Sequence, residues 1–433
     1  MCADDIPPQA DLTEAQWAAE RGTPPSATDA APDRASGTAP APTRDAAPDR
    51  ASGTAPAPTR GAAPGRTSGA APALRRRTLL ASVAAAGVAV GGLASRTPAR
   101  AATPRKFPLP TGVGADGTLS VLITGDAGTG KAAQYAVAAA AREVCRAEGV
   151  ALAVGLGDNI YENGPESGHD PEFADKFERP NAGIDVPWLM VLGNHDCSGI
   201  IPGSGGDPSR GDREVTYAAS SPRWYMPGRY YSVPLPAGGS GAPLVEFFAL
   251  DTNPVASTVM QTDPYFTWNG PYMREQRAWL DGALSRSRAA WKVVLGHHPY
   301  LNNGVHGNAG AYDGFVIGHY TSGLHLQELY EEVVCGRADL ILSGHDHTLQ
   351  VLEPTARSRG TRQLVCGAAS KTGDGRAHGR TPAKWQDFSS HGFMLAKISA
   401  DRLTVHTYTV DTAAARARLA HSFSSAPLLT PAA

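Results

Sequence analysis

Leu152-Ala153-Val154-Gly155-Leu156-Gly157-Asp158-Asn159-Ile160-Tyr161 decides the fold, because a short apolar run ends there abruptly in a glycine, a carboxylate and a phenol. Such a run reads as a buried strand delivering Asp158 to a sheet edge. A carboxylate in that place needs hydrogen bonds, a counter-charge or a metal, since desolvating it alone is prohibitive. The plainer alternative is a turn carboxylate capping the next helix, and the choice depends on whether other strand ends carry matching ligands.

They do. Apolar runs also lead into Gly125-Asp126-Ala127-Gly128, Gly193-Asn194-His195-Asp196, Gly296-His297 and Gly344-His345-Asp346-His347. At any one of these, glycine beside a polar residue is ordinary turn chemistry. In series they fit an α/β sheet, which places its binding residues at the carboxyl ends of strands. Asp126, Asp158, Tyr161, Asn194, His297, His345 and His347 together suit two divalent or trivalent ions with one carboxylate bridging.

The surrounding pattern predicts strands at 119–124, 152 onward, 188–192, 244–250, 291–295 and 339–342. Helices are predicted over 131–147, 274–284 and 324–334, with a loop-rich stretch at 198–243. Short strands follow Thr348, ending at 403–406 before a polar, Ala-rich tail. Strand, helix, strand in this order argues an α/β layered core.

Of the 433 residues, 1–73 are dominated by Ala, Pro, Thr, Arg and Gly, with too few large apolar side chains to bury a core. The segment AAPDRASGTAPAPTR at 30–44 recurs letter for letter at 46–60, and a decayed copy begins at Ala62. This matches no solenoid repeat and reads as a duplicated disordered linker. Residues 74–101 then run from Arg75-Arg76-Arg77 through a small-residue apolar stretch to Ala99-Arg100-Ala101, the layout of a signal peptide cleaved after Ala101. Arg76-Arg77-Thr78-Leu79-Leu80 also resembles the twin-arginine export signal, which implies transient contact with export machinery and a secreted or extracytoplasmic product. A stable membrane anchor is disfavoured, because residues 81–95 fall short of the roughly 20 apolar residues a span needs. A start codon further downstream would account for the long segment before the signal.

Residues 102–433 then form one catalytic domain, large enough for a substantial core. A net charge of −2 leaves no nucleic-acid footprint. Of five cysteines, Cys2 lies in the disordered head, and Cys145, Cys197, Cys335 and Cys366 allow two disulfides in an oxidising compartment, with three connectivities open. No Cys-x-x-Cys pair suggests zinc.

In order and spacing the five polar blocks resemble the calcineurin-like metallophosphoesterases, and specifically the purple, tartrate-resistant type of acid phosphatase. The wider superfamily usually opens with Asp-x-His, whereas here Gly128 takes the third position and Tyr161 makes up the lost imidazole. The resemblance spans most of 119–370, including Ser221-Pro222-Arg223-Trp224 with Pro227 and Tyr230, and Leu250-Asp251-Thr252. It implies a single αββα sandwich, two packed mixed sheets flanked by helices. It implies Fe(III) held by Asp126, Asp158, Tyr161 and His347, and a second ion, Fe, Zn or Mn, held by Asp158, Asn194, His297 and His345. His195 and His306 match two outer-sphere histidines that contact phosphate and assist the leaving group, although His306 also reads as a loop residue in Gly304-Val305-His306-Gly307. His298 has no family role and reads as structural.

The implied activity is hydrolysis of small phosphomonoester substrates outside the cytoplasm by a metal-activated hydroxide. A phosphodiesterase or nucleotidase on the same dimetal site is the nearest alternative, because the longer loop at 307–323 decides what fits. A non-catalytic metal or phosphate binder is countered by His195 and His306, which add nothing to a mere binder. Gly125 to Lys131 also matches the Gly-x4-Gly-Lys phosphate loop of nucleotide hydrolases, but Ala132 stands where Ser or Thr should hold magnesium. Cys197 has no assigned role: a buried thiol and a disulfide half both fit.

Overall fold

The computed structural model describes residues 106–429 except 237, 239–240, 258–262, 315–321 and 374. The repeat segment, the signal and Cys2 lie outside the described residues. The strands are β1 (Leu119–Thr124), β2 (Leu152–Gly155), β3 (Trp188–Met190), β4 (Trp224–Tyr225), β5 (Tyr231–Leu235), β6 (Val245–Ala249) and β7 (Trp291–Leu295). They continue with β8 (Leu340–Ser343), β9 (Leu349–Leu352), β10 (Arg362–Cys366), β11 (Ala383–Asp387), β12 (His391–Ile398), β13 (Leu403–Asp411) and β14 (Arg416–Ser425). The helices are α1 (Ala132–Glu148), α2 (Pro208–Tyr217), α3 (Pro271–Arg286) and α4 (Leu324–Leu329), the last prolonged by a π turn over Tyr330–Val334.

Two seven-stranded sheets result, ordered β14-β13-β12-β1-β2-β3-β4 and β11-β9-β10-β8-β7-β6-β5. Strands β1 to β4 pair parallel, as do β6, β7, β8 and β10, so each sheet gathers strand carboxyl ends at one edge. Every residue of β1, β2 and β8 is buried, as expected of short apolar strands covered on both faces. Neighbouring residues separate the layers: Phe247 joins the core between the sheets with Trp188 and Trp291, while Phe248 joins an outer cluster with Met273 and Leu280 of α3. Helix α1 lies on β1, β12, β13 and β14 and stops at Gly149, whose left-handed φ of 60° lets its N–H reach the Cys145 carbonyl. The architecture is the expected αββα sandwich.

The structure corrects the sequence reading in three places. Strand β13 extends to Asp411 and turns into β14, a ten-residue edge strand where a polar tail was expected. The loop-rich stretch at 198–243 contains α2, with Pro208 at its first position. Cys145, Cys197, Cys335 and Cys366 are all buried and unpaired, so the described residues contain no disulfide. No described helix is long and apolar enough to cross a membrane.

Candidate metal centre

The polar blocks meet where the strand ends of the two sheets face each other. The first sheet contributes Asp126 after β1, Asp158 and Tyr161 after β2, and Asn194 and His195 after β3; the second contributes His297 after β7, and His345 and His347 after β8. Asp126, Asp158 and His345 adopt left-handed φ values of 57°, 52° and 68°, a conformation that costs non-glycine residues energy and collects at functional sites. Glycine clears the space around them. A Cβ on Gly193 would stand 2.2 Å from Asp158 Oδ1, and one on Gly344 would stand 2.3 Å from Asp126 Oδ2. At Gly128 a Cβ would stand 2.0 Å from the Asn159 carbonyl oxygen, so the chain leading to Tyr161 fills the space that any side chain at 128 would need.

Two groups of donors form. In one, Tyr161 Oη lies 3.1 Å from both Asp126 Oδ1 and His347 Nε2, which are 3.6 Å from each other. In the other, Asn194 Oδ1, His297 Nε2 and His345 Nδ1 form a triangle with sides of 2.9, 3.1 and 3.2 Å. Asp158 stands between them: it belongs to the Asp126 and His347 group, and its Oδ1 is 3.4 Å from His297 Nε2.

The donor chemistry fits cations. His297 Nδ1–H donates to the Leu156 carbonyl at 2.8 Å, so the neutral ring directs a lone pair from Nε2. Asn194 donates its amide to the Gly203 carbonyl at 2.7 Å, which turns its oxygen inward. Lone pair therefore faces lone pair at 2.9 Å, an arrangement a metal ion reconciles. Burial lowers His297, takes His345 well below its ordinary value, and brings His347 down to about 4, leaving the rings neutral as ligation requires. Burial and the charge of Asp158 push the Asp126 carboxyl up, whereas Asp158, despite burial, is held low by His297 and His195. Burial and both carboxylates push the Tyr161 phenol well up, so a phenolate there needs a cation beside it.

Partly exposed histidines line the rim. His195 Nδ1 bonds the Glu162 carbonyl at 2.5 Å, and its N–H donates to Asp158 Oδ1 at 3.0 Å. The His306 ring lies 4.3 Å, centroid to centroid, from that of His345. His298, read from sequence as structural, is buried beside His297 and His345, with Nδ1 2.8 Å from Thr252 Oγ1 and no described partner for Nε2.

Sequence reasoning missed several supporting groups. Asp196 accepts from the backbone N–H groups of Gly193, Asn159 and Ile160 at 2.7 to 2.9 Å, fixing the turn that carries Asp158 and Tyr161. Asn159 Nδ2 reaches Asp196 and Glu214 of α2, at 3.1 and 2.9 Å. Lys371 Nζ sits 3.5 Å from the Tyr161 ring centroid and 3.3 Å from the Glu162 carboxylate. Asp196 had a signal, since it lies inside a recognised block; Glu214 and Lys371 had none.

Residues 119–349 match the family model of calcineurin-like phosphoesterases. Purple acid phosphatase 4 of Arabidopsis thaliana is 30% identical over 334 residues, 73% of this chain and 86% of that protein. Tartrate-resistant acid phosphatase type 5 of Oryctolagus cuniculus is 25% identical over 319 residues, 69% of this chain and 89% of that protein. In fold alone, the chain resembles GAP50, described as the anchor in the inner membrane complex of Plasmodium, with a TM-score of 0.55 at 18% identity over 72% of this chain and 89% of that one. With the family model covering both sheets' ligand-bearing strands and its relatives matched over most of their length, the chain belongs to the calcineurin-like phosphoesterases and, among them, to the dimetal purple acid phosphatases.

Proposed function

We infer that the protein hydrolyses phosphomonoesters outside the cytoplasm, following export of the folded domain by the twin-arginine-type signal at 74–101. The observation that carries this reading is the convergence of buried, inward-directed donors from two sheets beneath a rim of histidines. Asp126, Asp158, Tyr161 and His347 would hold one ion, read as Fe(III), and Asp158, Asn194, His297 and His345 would hold the second, read as Fe, Zn or Mn. When bound, such a pair supplies charge for phosphoryl oxygens and lowers the pKa of water. Around it, the protein's own groups bind and orient the ester. His195, with Nδ1 tied to the Glu162 carbonyl, keeps Nε2 for phosphate. His195, together with His306, would stabilise charge and protonate the leaving oxygen, a role that contributes on the order of 100-fold or more.

The test combines elemental analysis of the purified protein with steady-state rates on matched mono- and diesters. Two bound ions with kcat/KM favouring the monoester support the reading. A diester preference replaces the substrate class, and binding of ions without turnover of either ester sinks the enzymatic reading.

A further inference from the structure

Beyond the two rim histidines, the structure contains a carboxylate bonded to the ring of one of them. His306 Nδ1 lies 2.8 Å from Asp313 Oδ1, and the Asp313 N–H donates to the His306 carbonyl at 2.9 Å, closing the intervening loop onto the histidine. Asp313 holds a left-handed φ of 52° in this closure. Its neighbour Tyr312 anchors the loop, with a buried ring and a hydroxyl that donates to the Pro299 carbonyl. From the opposite side, Asp346 Oδ2 accepts the His306 N–H at 3.1 Å and the Asn302 amide at 2.6 Å. The chain passes so tightly over Asp346 that a Cβ on Gly304 would stand 2.1 Å from its carboxylate. The backbone of His306 is thus clamped by one carboxylate and its ring by another.

We propose that Asp313 is a positioning residue that fixes His306 as the Nδ1–H tautomer and aims Nε2 at the leaving oxygen of the substrate. An ionised carboxylate only accepts, so Nδ1 must carry hydrogen and Nε2 becomes the exchangeable site. His306 enters the step as the imidazolium; as the bond from phosphorus to the leaving oxygen breaks, its electron pair stays on that oxygen, which takes the Nε2 proton and leaves the neutral Nδ1–H ring on Asp313. The water that adds to phosphorus returns a proton to the imidazole through solvent. Asp313 keeps accepting the Nδ1–H bond and offsets the charge of the imidazolium before transfer. Asparagine at 313 removes this constraint: its amide can donate to Nδ1 and turn the ring to the Nε2–H form, the tautomer error known from hydrolytic triads.

The proposal rests on His306 acting as proton donor, and its test separates the two ideas. The ¹⁵N resonances of His306 in zinc-loaded, diamagnetic protein report the tautomer directly. Hydrogen on Nδ1 in the parent and a shift toward Nε2–H in Asp313→Asn is the expected result. The same tautomer in both proteins, or an unprotonated Nδ1 in the parent, overturns the proposal whether or not the protein turns over any ester. Kinetics supply the second arm. Asp313→Asn should lower kcat about tenfold on an alkyl phosphate, whose leaving group needs the proton, and much less on 4-nitrophenyl phosphate, with KM and metal content retained. In a His306→Ala background the same substitution should change nothing further. Equal losses on both esters, or a loss that persists without His306, reduce Asp313 to a loop support. If the parent hydrolyses neither ester, the phosphatase reading falls and the tautomer result alone decides the role of Asp313.

Discussion

Gly128 and Tyr161 form one device at the scale of single residues. The 159–160 backbone crosses Gly128 so closely that position 128 has no room for a side chain, and the Tyr161 N–H donates to the Gly128 carbonyl at 2.9 Å. If Tyr161 is the only phenol on a ferric ion, Tyr161→Phe should bleach the visible band of the purified protein without unfolding it, because only one oxygen is lost and volume is nearly kept. The Lys371 ammonium over that ring stabilises phenolate electrons, so Lys371→Met should move the band to longer wavelength. A band that ignores both substitutions removes Tyr161 from the metal. The ligands were legible because Asp126, Asp158, Asn194, His297 and His345 each directly follow a glycine at the end of an apolar run, with Tyr161 and His347 two or three residues further on, and Gly193 and Gly344 leave room for the Asp158 and Asp126 carboxylates. Lys371 and Asp313 were not, since each matters only through a partner that folding brings to it, and a lone Lys or Asp in a Gly-rich loop carries no periodic mark.

Among elements, the turn after β2 and helix α2 share a buried acidic pair. Glu214 and Asp196 are both fully buried; burial and Asp158 push Asp196 up to about 7, while burial and Asp196 push Glu214 well up. The expectation is that the pair shares one proton in the fold. Because the folded value of Glu214 is raised, its contribution to stability is fully present below its ordinary 4.5 and is lost as pH rises toward the folded value. Parent stability should fall by up to ~1.4 kcal/mol per pH unit across that window, whereas Glu214→Gln, which keeps a donor without ionising, should remain flatter. Denaturant curves at about pH 5 and about pH 7 check this, and equal pH slopes for the two proteins contradict a shared proton. The element pattern itself was mostly visible, since buried strands such as β2 and β3 are uninterrupted apolar runs. Edge strand β14 was hidden because, with Phe423 its one buried residue, it lacks the alternation that marks a half-buried strand. Helix α2 was obscured by Gly211 and a mostly polar face.

For the whole molecule, the order of events matters. Ligands separated by more than two hundred residues, from Asp126 to His347, must be assembled before ions bind, which suits export of a finished domain. Replacing Arg76 and Arg77 by Lys should then retain metal-loaded, active precursor inside the cell, whereas secretion at the parental level would discard the twin-arginine reading. The same assembly makes metal a staple between sheets, since one sheet supplies Asp126, Asp158, Tyr161 and Asn194 and the other His297, His345 and His347. Ions that bind only the folded state stabilise it by mass action, about 4 kcal/mol at a thousandfold excess over Kd, or roughly 10 °C in Tm for a domain of this size. Chelation should lower Tm by that order. Asp158→Ala, which removes the one carboxylate shared by both donor groups, should lose both ions and with them the response to chelator. Asn194→Ala should lose the second ion preferentially and keep part of that response. Elemental analysis beside thermal unfolding reads both quantities, and equal metal loss in the two variants would break the assignment of Asp158 as the bridge, because only a shared ligand couples one side-chain deletion to two vacated sites.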